Sequence, residues 1–209
     1  MKIIFTIALT ILTVATVVGQ NFEGKITYQN SFKSKLPNVT SEQFNSMMGT
    51  QQEYYIKGSD YKSVTDGTFA QWQLYIQKEN RLYSKFSNSE TILWNDGSVN
   101  SDSVISVELN KGVTEVLGYK CDEIILTCKS GIQKYYFSSK LSVDSKLFSN
   151  HKYGNWYDYM KVANALPLKM IIDNSQFTME GIALEVKPMK LDNKEFELPA
   201  NAKTGESPY

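Results

Sequence analysis

The 209-residue chain balances 22 basic against 22 acidic side chains, and this neutrality removes the electrostatic footprint that nucleic-acid binding requires. Its basic residues are lysines apart from Arg81, which argues against fork-like recognition of phosphate or carboxylate groups. Residues 20–209 suffice for one domain with a substantial core, and no Pro/Gly/Ser-rich stretch, charge block or internal repeat divides them.

Residues 1–19 carry Lys2 near the start, an uncharged run from Ile3 to Val18 and small residues at the end. This is the layout of a secretory signal peptide, with cleavage expected after Gly19. An uncleaved anchor is the rival reading, but a span needs about 20 apolar residues and this run is shorter and rich in threonine. No cysteine follows the cleavage point, so a lipid anchor is not expected there. The expected location is the periplasm or the extracellular space, with no transmembrane segment after cleavage.

The mature chain opens with FEGKITYQN, in which Phe22, Gly24, Ile26 and Tyr28 alternate with polar residues; period two marks a half-buried strand. In NVTSEQFNSMM, Thr40 and Gln43 have the spacing of a capping box, which predicts a short helix with Phe44, Met47 and Met48 on one face. Next come EYYIKG, then FAQWQLYI with Ala70, Trp72, Leu74 and Ile76 on a common face, then RLYSKF and TILW. SVISVEL repeats the alternation at Ile105, Val107 and Leu109. After the KYYFS strand, a helix is expected around Trp156, Tyr157 and Met160, ending before Pro167. LPLKMIID, with Leu166, Leu168, Met170 and Ile172 on one side, and TMEGIALEV complete the series. The intervening KGSD, KEN, SNSE, NDGS and KSG favour tight turns. Short strands joined in this way predict a mainly β, antiparallel sheet with a few helices. An apolar face on nearly every strand must be covered by curling or by the helices, although a two-sheet sandwich satisfies the same pattern.

The only cysteines, Cys121 and Cys128, bracket the run CDEIILTC, which contains no turn residue. As one strand it holds the two Cα atoms roughly 23 Å apart on opposite faces, far beyond the ~7 Å a disulfide allows. Buried thiols are the expectation, with intermolecular pairing as the remaining alternative. His151 is the single histidine and is read as a loop residue without an assigned partner. Asp60, Asp66 and Glu79 fall at turns. No nucleophile motif, metal-ligand spacing or phosphate loop is present, so neither a catalytic residue nor a metal or other cofactor is assigned. Abundant aromatic residues and 7 methionines are ordinary core material, yet they also suit a cavity that accepts irregular acyl chains.

FEGKITY, YYIKGSDY, VLGYKC, ALPLKM and KEFELPAN occur here in an order that resembles a family of exported Gram-negative bacterial proteins with no agreed activity, grouped with the outer-membrane lipoprotein carriers. The resemblance implies a curved, incompletely closed antiparallel β-barrel wrapped around short helices, with an apolar concave face. In the characterised carriers that face holds lipoprotein or lipid acyl chains. Gly118 and Tyr119 would mark the bend into a central strand, Cys121 would pack behind them, and Phe196 and Pro199 would close the last strand. No catalytic residues come with the resemblance.

The expected function is therefore non-enzymatic: a periplasmic binding or carrier protein for an apolar ligand such as a lipid or lipoprotein acyl chain. Phe22, Ile26, Trp72, Leu74, Ile76, Leu168, Met170 and Ile172 would line the interior, with Met47 and Met48 as a movable plug. The alternative is a structural or interaction module of the cell envelope, with a self-filled core and a protein partner met at a sheet edge.

Overall fold

The computed structural model describes residues 21–208; the expected signal segment lies outside the described residues. Strand β1 (Gly24–Ser34) leads into helix α1 (Ser41–Met48) and then a meander of β2 (Gln51–Lys57), β3 (Asp60–Thr65), β4 (Ala70–Ile76), β5 (Arg81–Phe86) and β6 (Ile92–Asp96). A second meander begins with β7 (Val104–Val116), β8 (Tyr119–Cys128) and β9 (Gly131–Ser142). Two 3₁₀ turns, Ser145–Phe148 and Tyr153–Asn155, and helix α2 (Trp156–Ala163) interrupt it before β10 (Ala165–Asn174) and β11 (Phe177–Pro188). A third 3₁₀ turn (Asn193–Phe196) and the short β12 (Thr204–Glu206) follow. No helix among the described residues is long and apolar enough to cross a membrane.

All twelve strands belong to one curved, open sheet in the order β12-β6-β5-β4-β3-β2-β1-β11-β10-β9-β8-β7. Pairing is antiparallel throughout except for β12, which lies parallel to β6. The two meanders are zipped together where β1 meets β11, over eleven residues from Gly24↔Pro188 to Ser34↔Phe177. The β-rich class expected from the alternating runs is thus realised, as a sheet whose edges, β12 and β7, remain separate.

Topology accounts for the curvature. β6 and β7 stand ten positions apart in the sheet, about 48 Å if it were flat. The chain from Asp96 to Val104 reaches at most about 29 Å, so the sheet must curl. This link is held against the loop before α2: Lys152 N and Tyr153 N donate to Gly97 O at 2.6 and 3.0 Å. Asn155 Nδ2 donates to Asp102 Oδ2 at 3.0 Å, and Asp102 also accepts from Ser130 N and Oγ at 2.9 and 2.7 Å.

Both expected helices form. Thr40 caps α1 through its Oγ1, which accepts from Gln43 N at 3.2 Å, while Gln43 Oε1 accepts from Thr40 N at 2.9 Å. None of the residues of α1 is buried; its Phe44 packs on Phe32 and Phe177 at the rim of the sheet. Helix α2 is the internal one, burying Tyr159, Met160 and Ala163. Asn164 ends it in the left-handed region.

Two cores result. The inner one joins α2 and Phe148 to Ile26, Tyr28, Tyr61, Tyr75, Ile124, Leu126, Leu166 and Leu168. The outer one gathers Leu74, Ile76, Tyr83 and Ile92 beneath Leu191 and Phe196. Successive residues of β4 and β5 therefore feed opposite cores, Tyr75 inward and Leu74 outward, Leu82 inward and Tyr83 outward. The C-terminal segment supplies the outer cover, pinned by Leu191 N to Glu23 Oε1 at 2.8 Å and Lys57 Nζ to Leu191 O at 2.7 Å. Phe196 thus belongs to a clamp across β4–β6, which corrects the expectation that it closes a final strand.

Three further expectations need correction. The apolar face of β7 is not half-buried: Ile105 is 71% exposed and Val107 and Leu109 are also open to solvent, because β7 is an edge strand that helix α2 does not reach. Cys121 and Cys128 do lie on one strand, free and buried, but both enter the inner core. The alternation of burial breaks at Asp122 and Glu123, where β7 carries a bulge between Asn110 and Thr114. In VLGYKC, the positive φ values of Leu117 and Gly118 make the β7–β8 turn, placing the bend at the edge of the sheet instead of at its centre.

Gly131 lies at the start of β9 opposite Asn174 of β10, where an added Cβ would fall 2.0 Å from the Asp173 carbonyl oxygen. Gly131→Ala should therefore destabilise the fold by about 1–3 kcal/mol through forced separation of the two strands, measured as a lowered urea midpoint. An unchanged midpoint would show that the strands part freely there.

Candidate functional site

The concave face of the sheet is not fully filled. Between α1 and α2 lies a cleft of about 370 Å³ lined by Asn30, Phe32, Met48, Trp72, Phe86, Trp156, Met170, Ile172, Met179 and others. It shares Gln52, Ser63, Gln73, Trp156 and Met170 with a smaller space of about 160 Å³, lined also by Tyr28, Tyr54, Tyr61 and Pro167. The volume is in the range of small-molecule sites.

The lining is two-sided in character. Phe32, Phe86, Met48, Met170, Ile172 and Met179 make one wall apolar, and unbranched methionines let such a wall adapt. Across the strands runs a belt of neutral polar side chains. Asn30 Nδ2 donates to Gln52 Oε1 at 2.9 Å, Gln52 Nε2 to Ser63 Oγ at 2.7 Å, and Gln73 Nε2 to Ser84 Oγ at 3.2 Å. Strand register produces the belt, since Ser63 is opposite Gln73 and Gln73 opposite Ser84. Lys85 stands at the cleft but donates its ammonium to the Ser89 carbonyl.

Behind the smaller space, tyrosines stack: Tyr54 on Tyr61 with centroids 5.2 Å apart, Tyr61 on Tyr75 at 5.3 Å, and Tyr75 on His151 at 4.0 Å. His151 is not a solvated loop residue. It is only 1% exposed, and its Nε2 hydrogen-bonds the Tyr61 hydroxyl at 2.7 Å, which corrects the expectation of a residue without a partner. Burial lowers its pKa from 6.5 to about 3. Burial likewise raises Tyr54, Tyr61 and Tyr28 far above the usual phenol range, and Tyr75 to about 12. The tyrosine and histidine cluster behind the smaller space is therefore uncharged at neutral pH.

The residues expected to line the interior scatter. Met48, Trp72, Met170 and Ile172 border the cleft. Phe22, Ile26 and Leu168 are fixed in the inner core. Leu74 and Ile76 face the other way, in the outer core, where Trp72 also packs; on β4 it is Gln73 and Tyr75 that point inward, with Gln73 lining the cleft. Met47 is 41% exposed on the outer side of α1. The polar belt and Tyr54 were missed because sequence alternation assigns two faces without saying which is concave. The pairing of Tyr54 with Ser63 and of Ser63 with Gln73, a polar residue recurring on neighbouring strands, is the signal that carries it.

Other reactive groups are engaged elsewhere. Burial raises both thiols, Cys128 to about 11, which keeps them protonated and unreactive. Asp66 Oδ1 accepts from Thr50 N and Gln51 N, Asp60 Oδ1 from Gln77 N, and Glu79 from the Tyr83 hydroxyl. Among the described residues no three His, Cys, Asp or Glu side chains converge in a way that would hold a metal ion.

No family model matches the chain, and no curated protein matches it. Among solved structures it is similar to PNGF-II, with a TM-score of 0.50 and 17% identity over 89% of this chain. The chain spans 32% of the length of that one, and the likeness is one of fold alone. LprF from Mycobacterium bovis superposes with a TM-score of 0.28 and 8% identity over 80% of this chain and 89% of its own, which is too loose to support an argument.

The buried histidine sets a pH dependence. Unfolded chains take up a proton near the ordinary 6.5, whereas folded His151 does so only near 3. Its contribution to stability is complete above 6.5 and is lost as the pH falls from there toward 3. In NMR spectra the ring protons of this single histidine should not titrate between pH 8 and 5 in the folded protein. A native midpoint near 6.5 would contradict the burial.

Proposed function

We propose that the protein is an exported, non-enzymatic binding or carrier protein that takes an apolar ligand, such as a lipid or acyl chain, into the cleft between α1 and α2. The observation that carries this reading is the cleft itself: about 370 Å³, continuous in its lining with the smaller space, walled by aromatic and methionine side chains. Burial would drive the binding, at roughly 0.8 kcal/mol for each methylene removed from water. Met48, at the end of α1, which buries none of its residues, and Met170 and Met179 on the strands supply the adaptable surface. The signal-like N-terminus supports a periplasmic or secreted location. In support of a non-enzymatic role, the single histidine is locked in the core and does not line the cleft.

The exposed edge strand β7 favours a second reading, in which the protein is an envelope interaction module. Its outer edge has no neighbouring strand among the described residues, and Ile105, Val107, Leu109 and Val113 are exposed along it. Charges or coverings ordinarily protect so long an edge; an extended segment of a partner protein would pair with it as an added strand.

Organic extraction of natively purified protein followed by mass spectrometry should recover a lipid or other apolar compound in stoichiometric amount. Met170→Asp places a charge in the apolar wall and should weaken Nile red binding at least about tenfold without altering the circular dichroism spectrum. Protein that yields no extractable ligand, and a variant that binds the dye as tightly as the parent, would together transfer preference to the interaction module.

A further inference from the structure

We infer that the smaller space is a polar subsite of the cleft, and that the ligand is an uncharged amphipathic molecule whose acceptor oxygen, of the ester, ketone or amide kind, is held by Tyr54 and Trp156. This inference rests on the reading of the cleft as a ligand site and specifies which ligands it selects. The Tyr54 hydroxyl and the Trp156 indole Nε1 are buried without a hydrogen-bond partner, and both residues line the space of about 160 Å³. Tyr54 is only 8% exposed. An unpaired donor in such a place costs the fold the desolvation of that group, about 1–3 kcal/mol, unless something accepts from it. Two such donors on side chains that line one cavity suit an acceptor oxygen, which has two lone pairs.

The surrounding groups narrow the class further. Gln52, Ser63 and Gln73 line the same space, and one amide proton of each glutamine is already given, to Ser63 and to Ser84. Tyr28, a further lining residue, donates to the Pro167 carbonyl at 2.6 Å, and Tyr61 is paired with His151. Tyr54 and Trp156 are therefore the polar lining side chains that the fold leaves without any partner. No cation lines the space, so a carboxylate or phosphate entering it would lose its hydration with no charge to replace it. An apolar body extending from the held oxygen passes Met170, shared by both spaces, toward Met48, Ile172 and Met179.

Three probes of equal chain length test this: nonane, 2-nonanone and nonanoate at pH 7. Calorimetry on the intact protein should show that nonane and 2-nonanone bind and that nonanoate binds more weakly than the ketone. In ¹H–¹⁵N spectra the Trp156 indole resonance, identified by its loss in Trp156→Phe, should move downfield with 2-nonanone and not with nonane. Tyr54→Phe removes only the hydroxyl. It should leave the melting temperature unchanged or raised, leave nonane affinity within twofold, and weaken 2-nonanone about fivefold, which converts to about 1 kcal/mol.

A Tyr54→Phe variant that melts earlier would mean the hydroxyl serves the fold, and the inference would be overturned. Unaltered ketone affinity in that variant, or a Trp156 resonance indifferent to the ketone, would overturn it as well while nonane binding left the carrier reading intact. If none of the three probes binds, the carrier reading itself falls and the subsite with it.

Discussion

The short link between β6 and β7 governs the architecture. Seven residues, 97–103, join strands that stand at nearly opposite ends of a twelve-stranded sheet, and chain length alone forbids the sheet from lying flat. Curling brings a concave face into being, and that face needs a filling. The loop and helix between β9 and β10 provide it, with Asn155 tied to Asp102 and Asn100 of the same link. The element that fills the sheet is thus bonded to the segment that bends it.

One short helix cannot fill so wide a curve. Helix α2 packs on β8, β9 and β10, while the stretch of concave face around Gln52, Ser63, Gln73 and Ser84 is bordered by Trp156 on one side and by Met48 of α1 on the other. The cleft is what remains between them. Helix α1 buries none of its residues and is held at the rim by Asn45, whose side chain bonds Phe32 N and O at 2.8 and 2.9 Å, by Ser46 O and Met47 O, which accept from Thr68 N and Phe69 N at 2.8 and 3.0 Å, and by Phe44 against Phe32 and Phe177.

The interior combines aromatic bulk with neutral polarity. Stacked tyrosines, a histidine held uncharged and amide side chains bonded to their neighbours make a lining that is neutral behind the cleft and still offers hydrogen bonds. Outside, the C-terminal segment covers Leu74, Ile76, Tyr83 and Ile92 of β4–β6 with Leu191 and Phe196. At the other end of the sheet the outer edge of β7 meets no further strand among the described residues, and Ile105, Val107, Leu109 and Val113 remain exposed.

Much of this was legible in the residues themselves. Alternation and turn chemistry located the strands, because a period of two and residues such as Gly, Asn and Asp act locally. The Thr40–Gln43 capping box fixed the start of α1 for the same reason, and the uninterrupted CDEIILTC run required one strand. What only the tertiary structure decided was direction: which face of β4 turns inward, why Ile105 is exposed when its pattern matches that of a buried strand, and where His151 finds Tyr61, 90 residues away in sequence. Alternation is symmetric between the faces of a sheet, and curvature is what breaks that symmetry. Curvature depends on the order of strands and the length of the link between β6 and β7, which are properties of the whole chain and of no single segment.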